Sequence, residues 1–323
     1  MRFVVYGAGG VGGVVGARLA QHGYDVALIA RGPHYEAIRA DGLTIESPDE
    51  RTRLTLPVFS HPSQIAWSPA DVVLLTMKSQ DTFAAVDALA ALAHSGTPIF
   101  CLQNGVANER IALRRFANVY GVFVYCATSH MAPGAVEAWY SPTTGILDVG
   151  RYPSGVDRMA DDVAAALRDA TFHSEPRTDV MRWKYRKLLM NLGNAVEALC
   201  GPLARGNPIL AAAEKEGVAC LKAAGQPFAS HDEDPVRRER ELKPRPIHGA
   251  QRGGGSTWQS LARHAPTTEV DYLNGEIVWL GRTHGISTPV NEALQRLMRT
   301  AVTESVSPAS MTLDQLTKQI FQT

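Results

Sequence analysis

Three features of the 323-residue sequence predict an α/β chain in two parts. A short apolar run, Met1 to Tyr6, ends in Gly7-Ala-Gly-Gly-Val-Gly12, and small and apolar residues follow at helical spacing. Further continuous apolar runs, Asp25 to Ala30, Asp71 to Thr76 and Pro98 to Leu102, alternate with helical stretches. After Thr178 the strand pattern stops and only helical periodicity continues. Continuous apolar strands separated by helices make a parallel sheet covered on both faces. The predicted fold class is therefore α/β: a Rossmann-type doubly wound parallel sheet over residues 1–178, then an all-helical second domain over residues 179–323.

The first strand, glycine turn, helix and second strand fit within about thirty residues, the size of a βαβ unit. Asp81 stands where it could cap the Ala-rich helix that follows it. Val119 to Thr128 reads as a strand, and Gly134 to Ser141 with Gly145 to Val149 as a hairpin closed near Pro142. Asp157 to Ala170 is an amphipathic helix, and Thr171 to Glu175 a last short strand. Helices are expected over Val180–Leu199, Pro208–Ala224, Trp258–Ala262, Thr268–Thr283 and Pro289–Thr303. The stretch from Gln226 to Gly255 is polar and rich in Arg, Pro and Gly. It reads as a solvated loop with one short charged helix, or as a mobile lid.

Composition narrows the function. Hydrophobic residues make up 45% and charged residues 20%, enough to build a core without staples. Lys plus Arg and Asp plus Glu are 32 each, so the basic excess of a nucleic-acid binder is missing. No apolar run suits a membrane span. With the first strand beginning at Arg2, no signal or transit peptide is expected, and the reading is cytoplasmic. Cys101, Cys126, Cys200 and Cys220 have no CxxC spacing, and the ten histidines form no HxH or HxxxH pair. No metal site is predicted.

The glycine turn carries the chemistry of the first domain. Gly7 permits a tight turn, Gly9 lets a pyrophosphate approach the backbone, and Gly12 lets the helix pack closely on the sheet. The helix N-terminus, at Gly10 and Val11, offers N–H groups to phosphates. At the end of the second strand an NAD site would hold an acidic residue for the ribose hydroxyls. Here the strand ends Ile29-Ala-Arg31-Gly32, with no Asp or Glu. Arg31 is suited to a 2′-phosphate, and the cofactor is read as NADP.

Over almost its whole length the sequence resembles the ketopantoate reductase (2-dehydropantoate 2-reductase) family. The resemblance rests on the glycine turn, Ala30-Arg31-Gly32, Thr76-Met-Lys78 and Gln103-Asn104-Gly105 in the first half. In the second half it rests on Lys187-Leu-Leu-Met-Asn191, Ser256-Thr-Trp-Gln-Ser260, Glu269 to Gly275, Gly285 and Pro289-Val-Asn291. It implies a Rossmann domain, a helical domain, and NADPH-dependent reduction of 2-dehydropantoate to pantoate in a cleft between the two. By resemblance Lys187 is the catalytic lysine and Glu269 the essential glutamate. Lys78 and Asn104 lie near the nicotinamide, with Asn104 also at the substrate, and Asn191 and Ser256 bind substrate. Two positions depart from the family pattern. Ala195 stands where a second asparagine is frequent, and Ser260 where aspartate is frequent. Both are on the substrate side, so another branched 2-oxo acid is the first alternative and a non-catalytic NADP(H)-sensing protein the second. The expected partner is the small-molecule 2-oxo acid, with no nucleic acid and no membrane; a homodimer is the assembly left open.

The residues can carry this chemistry, although Lys187 and Glu269 taken by themselves also read as a solvated basic helix face and a first-turn helix charge. A ketone reductase needs a hydride donor and a proton for the oxygen. Lys187 can polarise the carbonyl and give that proton, best where burial or a nearby cation lowers its pKa. Trp183, Leu188 and Leu189 give an apolar setting, and Lys184 and Arg186 are expected to add positive charge. Asn191, one turn further on, shares the helix face. Glu269 would orient the lysine or a substrate hydroxyl, and Ser256, after three glycines, would donate to the substrate carboxylate. Asn104 and Lys78 follow parallel strands, where ligands bind in open α/β sheets.

Overall fold

The structure, a computed structural model, describes residues 1–201, 207–233 and 235–321. They form two compact units: Met1–Lys184 with Ser230–Arg252, and Tyr185–Ala229 with Gly253–Thr323. The chain changes unit three times, whereas the sequence reading has one boundary at residue 178.

The first unit begins β1 (Arg2–Tyr6), α1 (Gly10–Gln21), β2 (Asp25–Ile29), α2 (Gly32–Asp41), β3 (Leu43–Glu46), β4 (Arg51–Leu54) and β5 (Val58–Phe59). It continues with β6 (Asp71–Leu75), α3 (Thr82–Ala90), β7 (Ile99–Cys101), α4 (Asn108–Leu113), β8 (Val119–Tyr125), β9 (Thr128–Ser129), β10 (Ala135–Ala138), β11 (Gly145–Arg151), α5 (Arg158–Asp169) and β12 (Phe172–His173). The main sheet has eight strands in the order β12-β11-β8-β7-β6-β1-β2-β5. From β5 to β8 all neighbours are parallel. Numbered among themselves these strands run 3-2-1-4-5-6, the doubly wound order, which reverses between β1 and β6. The continuous apolar runs divide between two faces. Phe3, Val5, Leu28 and Phe100 pack with α1 and α5 residues such as Val14 and Leu167, while Val4, Val73, Leu75 and Ile99 pack with Leu89 and Phe116.

A second, four-stranded sheet, β4-β3-β10-β9, was not expected from the sequence. It corrects the predicted hairpin. β10 pairs in parallel with β3, whereas β11 returns to the main sheet antiparallel to β8. The strand expected to run to Thr128 ends at Tyr125, and Thr128–Ser129 join the small sheet. The glycines of α1 let this sheet come close. A Cβ at Gly10 would lie 3.0 Å from Thr128 Oγ1, and one at Gly13 2.7 Å from Val136.

Helix α6 (Val180–Asn191) spans the sequence boundary between the units. The second unit continues with α7 (Asn194–Cys200) and α8 (Pro208–Ala223). The single helix expected over 180–199 is interrupted at Gly193, whose missing side chain leaves room for Leu210. Residues 230–252, with α9 (Pro235–Glu241), belong to the first unit. This arginine-rich stretch holds the expected short charged helix and is mostly exposed, but its arginines tie it to the first unit. Arg237 bonds the buried Asp148 (2.7 Å), Arg238 bonds Tyr125 (2.9 Å), Arg245 bonds Asp49 (2.5 Å) and Arg252 bonds the Thr128 carbonyl (3.2 Å). α10 (Ser256–Ala262), α11 (Asn274–His284), α12 (Pro289–Thr303) and α13 (Leu313–Phe321) complete the second unit. The helix expected over 268–283 divides into a 3-10 turn, Glu269–Tyr272, and α11. No helix among the described residues is long and apolar enough to cross a membrane.

Candidate active site

In the first unit the glycine turn lies at the switch point between β1 and β6. Gly7 and Ala8 both donate their N–H to the Ile29 carbonyl (3.0 and 3.1 Å), hanging the turn on the end of β2. Gly7 has φ +107°, a conformation that glycine tolerates and side chains resist. A Cβ at Gly12 would overlap the Gly7 carbonyl oxygen and Thr76 Oγ1. At Gly9 a Cβ would meet nothing within 4 Å. So one glycine is closed against the strand ends and the other faces open space, the division of labour that a pyrophosphate requires. Thr76 Oγ1 donates to the carbonyls of Tyr6 and Gly7 (3.0 and 2.9 Å), joining the two strands at the switch point. Residues Gly10, Val11 and Gly12 open α1, and their N–H groups precede any carbonyl of the helix.

Arg31 is exposed at the end of β2, and its Nη2 lies 3.1 Å from Asp81 Oδ2. Asp81 therefore does not cap α3 through its side chain, as the sequence had suggested; it faces the guanidinium instead. Nearby, burial pushes the Tyr6 hydroxyl pKa up, with Arg31 opposing and Asp81 reinforcing the shift.

Lys78 and Asn104 sit on two turns that share a buried hydrogen-bond network. Ser79 Oγ donates to the Asn104 carbonyl (3.3 Å), and Asn108 Nδ2 donates to both Ser79 Oγ (3.2 Å) and that carbonyl (3.1 Å). Gln103 donates to Thr82 Oγ1 (2.8 Å), which donates on to Asn108 (2.8 Å). Lys184 completes the support: its Nζ reaches the carbonyls of Cys101 (3.2 Å) and Gln103 (3.0 Å) and pairs with Glu109 at 2.6 Å. Both side chains of that pair are buried. Removing one charge would strand the other, at a cost of ~3–5 kcal/mol. Lys184 is thus a folding residue. Arg186 is likewise paired, with Glu214 at 2.7 Å. The free positive charge expected from these two neighbours of Lys187 is corrected: each is neutralised by a carboxylate.

The second unit carries Lys187, Asn191, Ser256 and Glu269. Lys187 and Asn191 lie on the last turns of α6, the first half-buried and the second buried. Asn274 ties the segment after Glu269 to this place, donating to the Leu192 carbonyl (3.1 Å) and to Asn291 Oδ1 (3.0 Å). Asn291 donates to the Ala213 carbonyl (3.0 Å) and to Glu216 (2.7 Å). The motif residues Asn274 and Asn291 thus act as a scaffold that joins α6, α8, α11 and α12. Glu269 opens the 3-10 turn and is 4% exposed.

Ser256 is the first residue of α10, which packs on α7. Both departures from the family pattern lie on this helix pair and both are buried. Ala195 brings no polar group, and Ser260 turns its hydroxyl to the Ser256 carbonyl (3.0 Å). The sequence reading passed over Glu197 on α7. Its carboxylate is buried and lies against Gly255, where a Cβ would stand 2.7 Å from Oε2. An acid within the apolar run Ala195-Val-Glu-Ala-Leu199 was the available signal.

The fold and the turn define a doubly wound, dinucleotide-type protein with a helical second unit. Residues 3–153 match the family described as ketopantoate reductase PanE/ApbA, and residues 179–302 match its C-terminal domain. A 2-dehydropantoate 2-reductase of Halobacterium salinarum is 34% identical over 93% of this chain and 99% of its own. One from Pyrococcus horikoshii is 28% identical over 93% and 97%. The PanE/ApbA family ketopantoate reductase of Ralstonia eutropha JMP134 superposes with a TM-score of 0.79 at 30% identity, covering 94% of this chain and 99% of that one. The chain belongs to the ketopantoate reductase family, and it is an oxidoreductase.

Proposed function

We propose that the protein reduces the ketone of a 2-oxo acid with NADPH, and that this acid is 2-dehydropantoate, giving pantoate. The observation that carries the reading is the switch-point turn, closed at Gly12 and open at Gly9, with Arg31 and no carboxylate at the end of the second strand. The names of the relatives, 2-dehydropantoate 2-reductase over nearly their full length, support the substrate.

In this reading the N–H groups of Gly10 to Gly12 receive the pyrophosphate and Arg31 the 2′-phosphate. NADPH, when bound, supplies the hydride. Lys187 Nζ hydrogen-bonds the ketone oxygen and gives it a proton as the carbon is reduced. Asn191, one turn along the helix, donates to the same substrate and restricts its rotation. Glu269, buried at the start of its turn, orients Lys187 or the substrate hydroxyl. Ser256 donates its hydroxyl to the substrate carboxylate. Lys78 and Asn104 present polar groups at the nicotinamide end of the first unit, and Asn104 also serves the substrate.

A second reading, another branched 2-oxo acid, is favoured by Ala195 and Ser260, which put a methyl group in place of an amide and a hydroxyl in place of a carboxylate on the α7–α10 pair. Steady-state assays with 2-dehydropantoate and a panel of branched 2-oxo acids separate the two. The expected result is the highest kcat/KM on 2-dehydropantoate, within the ordinary range of roughly 10⁴–10⁸ M⁻¹s⁻¹. A value hundreds of times lower than that for another acid of the panel would select the second reading. A non-catalytic NADP(H) sensor would bind the dinucleotide and turn over none of them.

A further inference from the structure

The carbonyl of Ala8, inside the phosphate turn, is held by a side chain that no part of the reading above uses. His34 on α2 is buried, and its Nε2 lies 2.7 Å from the Ala8 oxygen. Its other ring nitrogen, Nδ1, receives the N–H of Gly134 at 2.9 Å. A backbone N–H can only donate, so Nδ1 is bare and Nε2 carries the proton. The imidazole is therefore neutral, and it donates to Ala8 through Nε2. Its face is covered by the His130 ring, with centroids 4.0 Å apart. His130 in turn contacts the Ala135 carbonyl through Nδ1 at 3.1 Å.

These contacts place His34 between three elements. The phosphate turn is on one side. The Gly134 turn, which leads into β10 of the small sheet, is on the other, and the Gly134 carbonyl receives the N–H of Thr44 at the start of β3 (2.9 Å). Between them His34 stands in the first turn of α2, three residues after Arg31. The Ala8–Gly9 peptide is thus fixed at both ends: His34 holds its oxygen, and its N–H donates to the Gly7 carbonyl at 2.7 Å. The next N–H groups are those that open α1. Their direction depends on the plane of this peptide, because a peptide unit is rigid and only the flanking dihedrals can turn.

We propose that His34 is a positioning residue for the dinucleotide, setting the Ala8–Gly9 peptide of the phosphate turn by a hydrogen bond from Nε2–H. This rests on the nucleotide-site reading given above. The role is one of orientation, since His34 is buried behind the turn and acts through the backbone.

Gln and Asn substitutions separate the two halves of the imidazole. Glutamine can present an N–H near the position of Nε2, whereas asparagine can present an acceptor only near Nδ1. NADPH binding to the full-length protein is measured by titration of the reduced-nicotinamide fluorescence, with kcat and both KM values for 2-dehydropantoate reduction. His34→Ala is expected to weaken NADPH binding by about tenfold. The same variant should keep kcat at saturating NADPH, and KM for the keto acid, within about twofold of wild type. His34→Gln should recover most of the affinity, and His34→Asn should not. If His34→Ala does not fold, the Gln and Asn pair decides alone. Unchanged NADPH affinity in a folded His34→Ala, or equal losses in the Gln and Asn variants, would overturn the inference. A wild type that binds no NADPH would overturn the nucleotide-site reading itself, a failure visible before any variant is made.

Discussion

Lys187→Ala is expected to lower kcat by at least about a hundredfold while leaving NADPH binding unchanged. The loss follows from the proposed chemistry. Hydride arrival makes an alkoxide unless a proton is delivered, and Lys187 is the residue proposed to deliver it. The competing electrostatic account, in which a positive charge suffices, is separated by Lys187→Arg. Arginine keeps the charge but holds its proton far more tightly than lysine, so it should be nearly as slow as alanine. A turnover number unchanged in the alanine variant would remove Lys187 from the role. Lys184, one turn earlier, is the wrong control: its buried pairing with Glu109 makes any loss there a loss of fold.

Arg31→Ala is expected to raise KM for NADPH by about tenfold to a hundredfold and to leave KM for NADH nearly unchanged. A charge-assisted, forked contact to a phosphate is worth a few kcal/mol, and NADH lacks that phosphate. Asp81 sharpens the expectation. It lies 3.1 Å from the guanidinium, so it competes for Arg31 and repels a 2′-phosphate. Both side chains are well exposed, so their pairing contributes little to stability. Steady-state kinetics with each dinucleotide decide the point. An unchanged KM for NADPH in the Arg31→Ala variant, or a wild-type preference for NADH, would reject the assignment.

Much of the fold was legible because local chemistry and global architecture demand the same residues. Gly7 and Gly12 are required by backbone conformation and by close packing on Thr76, so they announce the turn in the sequence. The buried parallel strands announce themselves as unbroken apolar runs. The small sheet did not. β4 reads Arg-Thr-Arg-Leu and β9 has two residues, so neither carries an apolar period. The alternation of β10 suits any strand with an open edge, and that β3 rather than β11 lies beside it is a fact of tertiary structure. The second unit shows the same limit. Helical spacing was visible from residue 180 onward, but the breaks at Gly193 and Leu273 depend on what packs against them.

The candidate site divides similarly. Residues whose type is tied to the chemistry could be proposed from the sequence, the glycines and Arg31 from their place after the strands and Lys187 through the family resemblance. Residues defined by distant partners could not. Lys184 and Arg186 read as added charge, whereas Glu109 and Glu214, which neutralise them, come from distant parts of the chain. His34 reads as one histidine among ten, and its meaning comes from Ala8 and Gly134, 26 and 100 residues away. Glu197 was marked only by its apolar neighbours.

The most direct measurement follows the transferred hydrogen itself. The protein is supplied with 2-dehydropantoate and with NADPH carrying deuterium at the transferable position of the nicotinamide ring, and the product is examined by mass spectrometry. Deuterium on the carbon that bears the new hydroxyl is the predicted result. A hydroxy acid without the label, or NADPH left unconsumed beside intact keto acid, would contradict the proposed reaction.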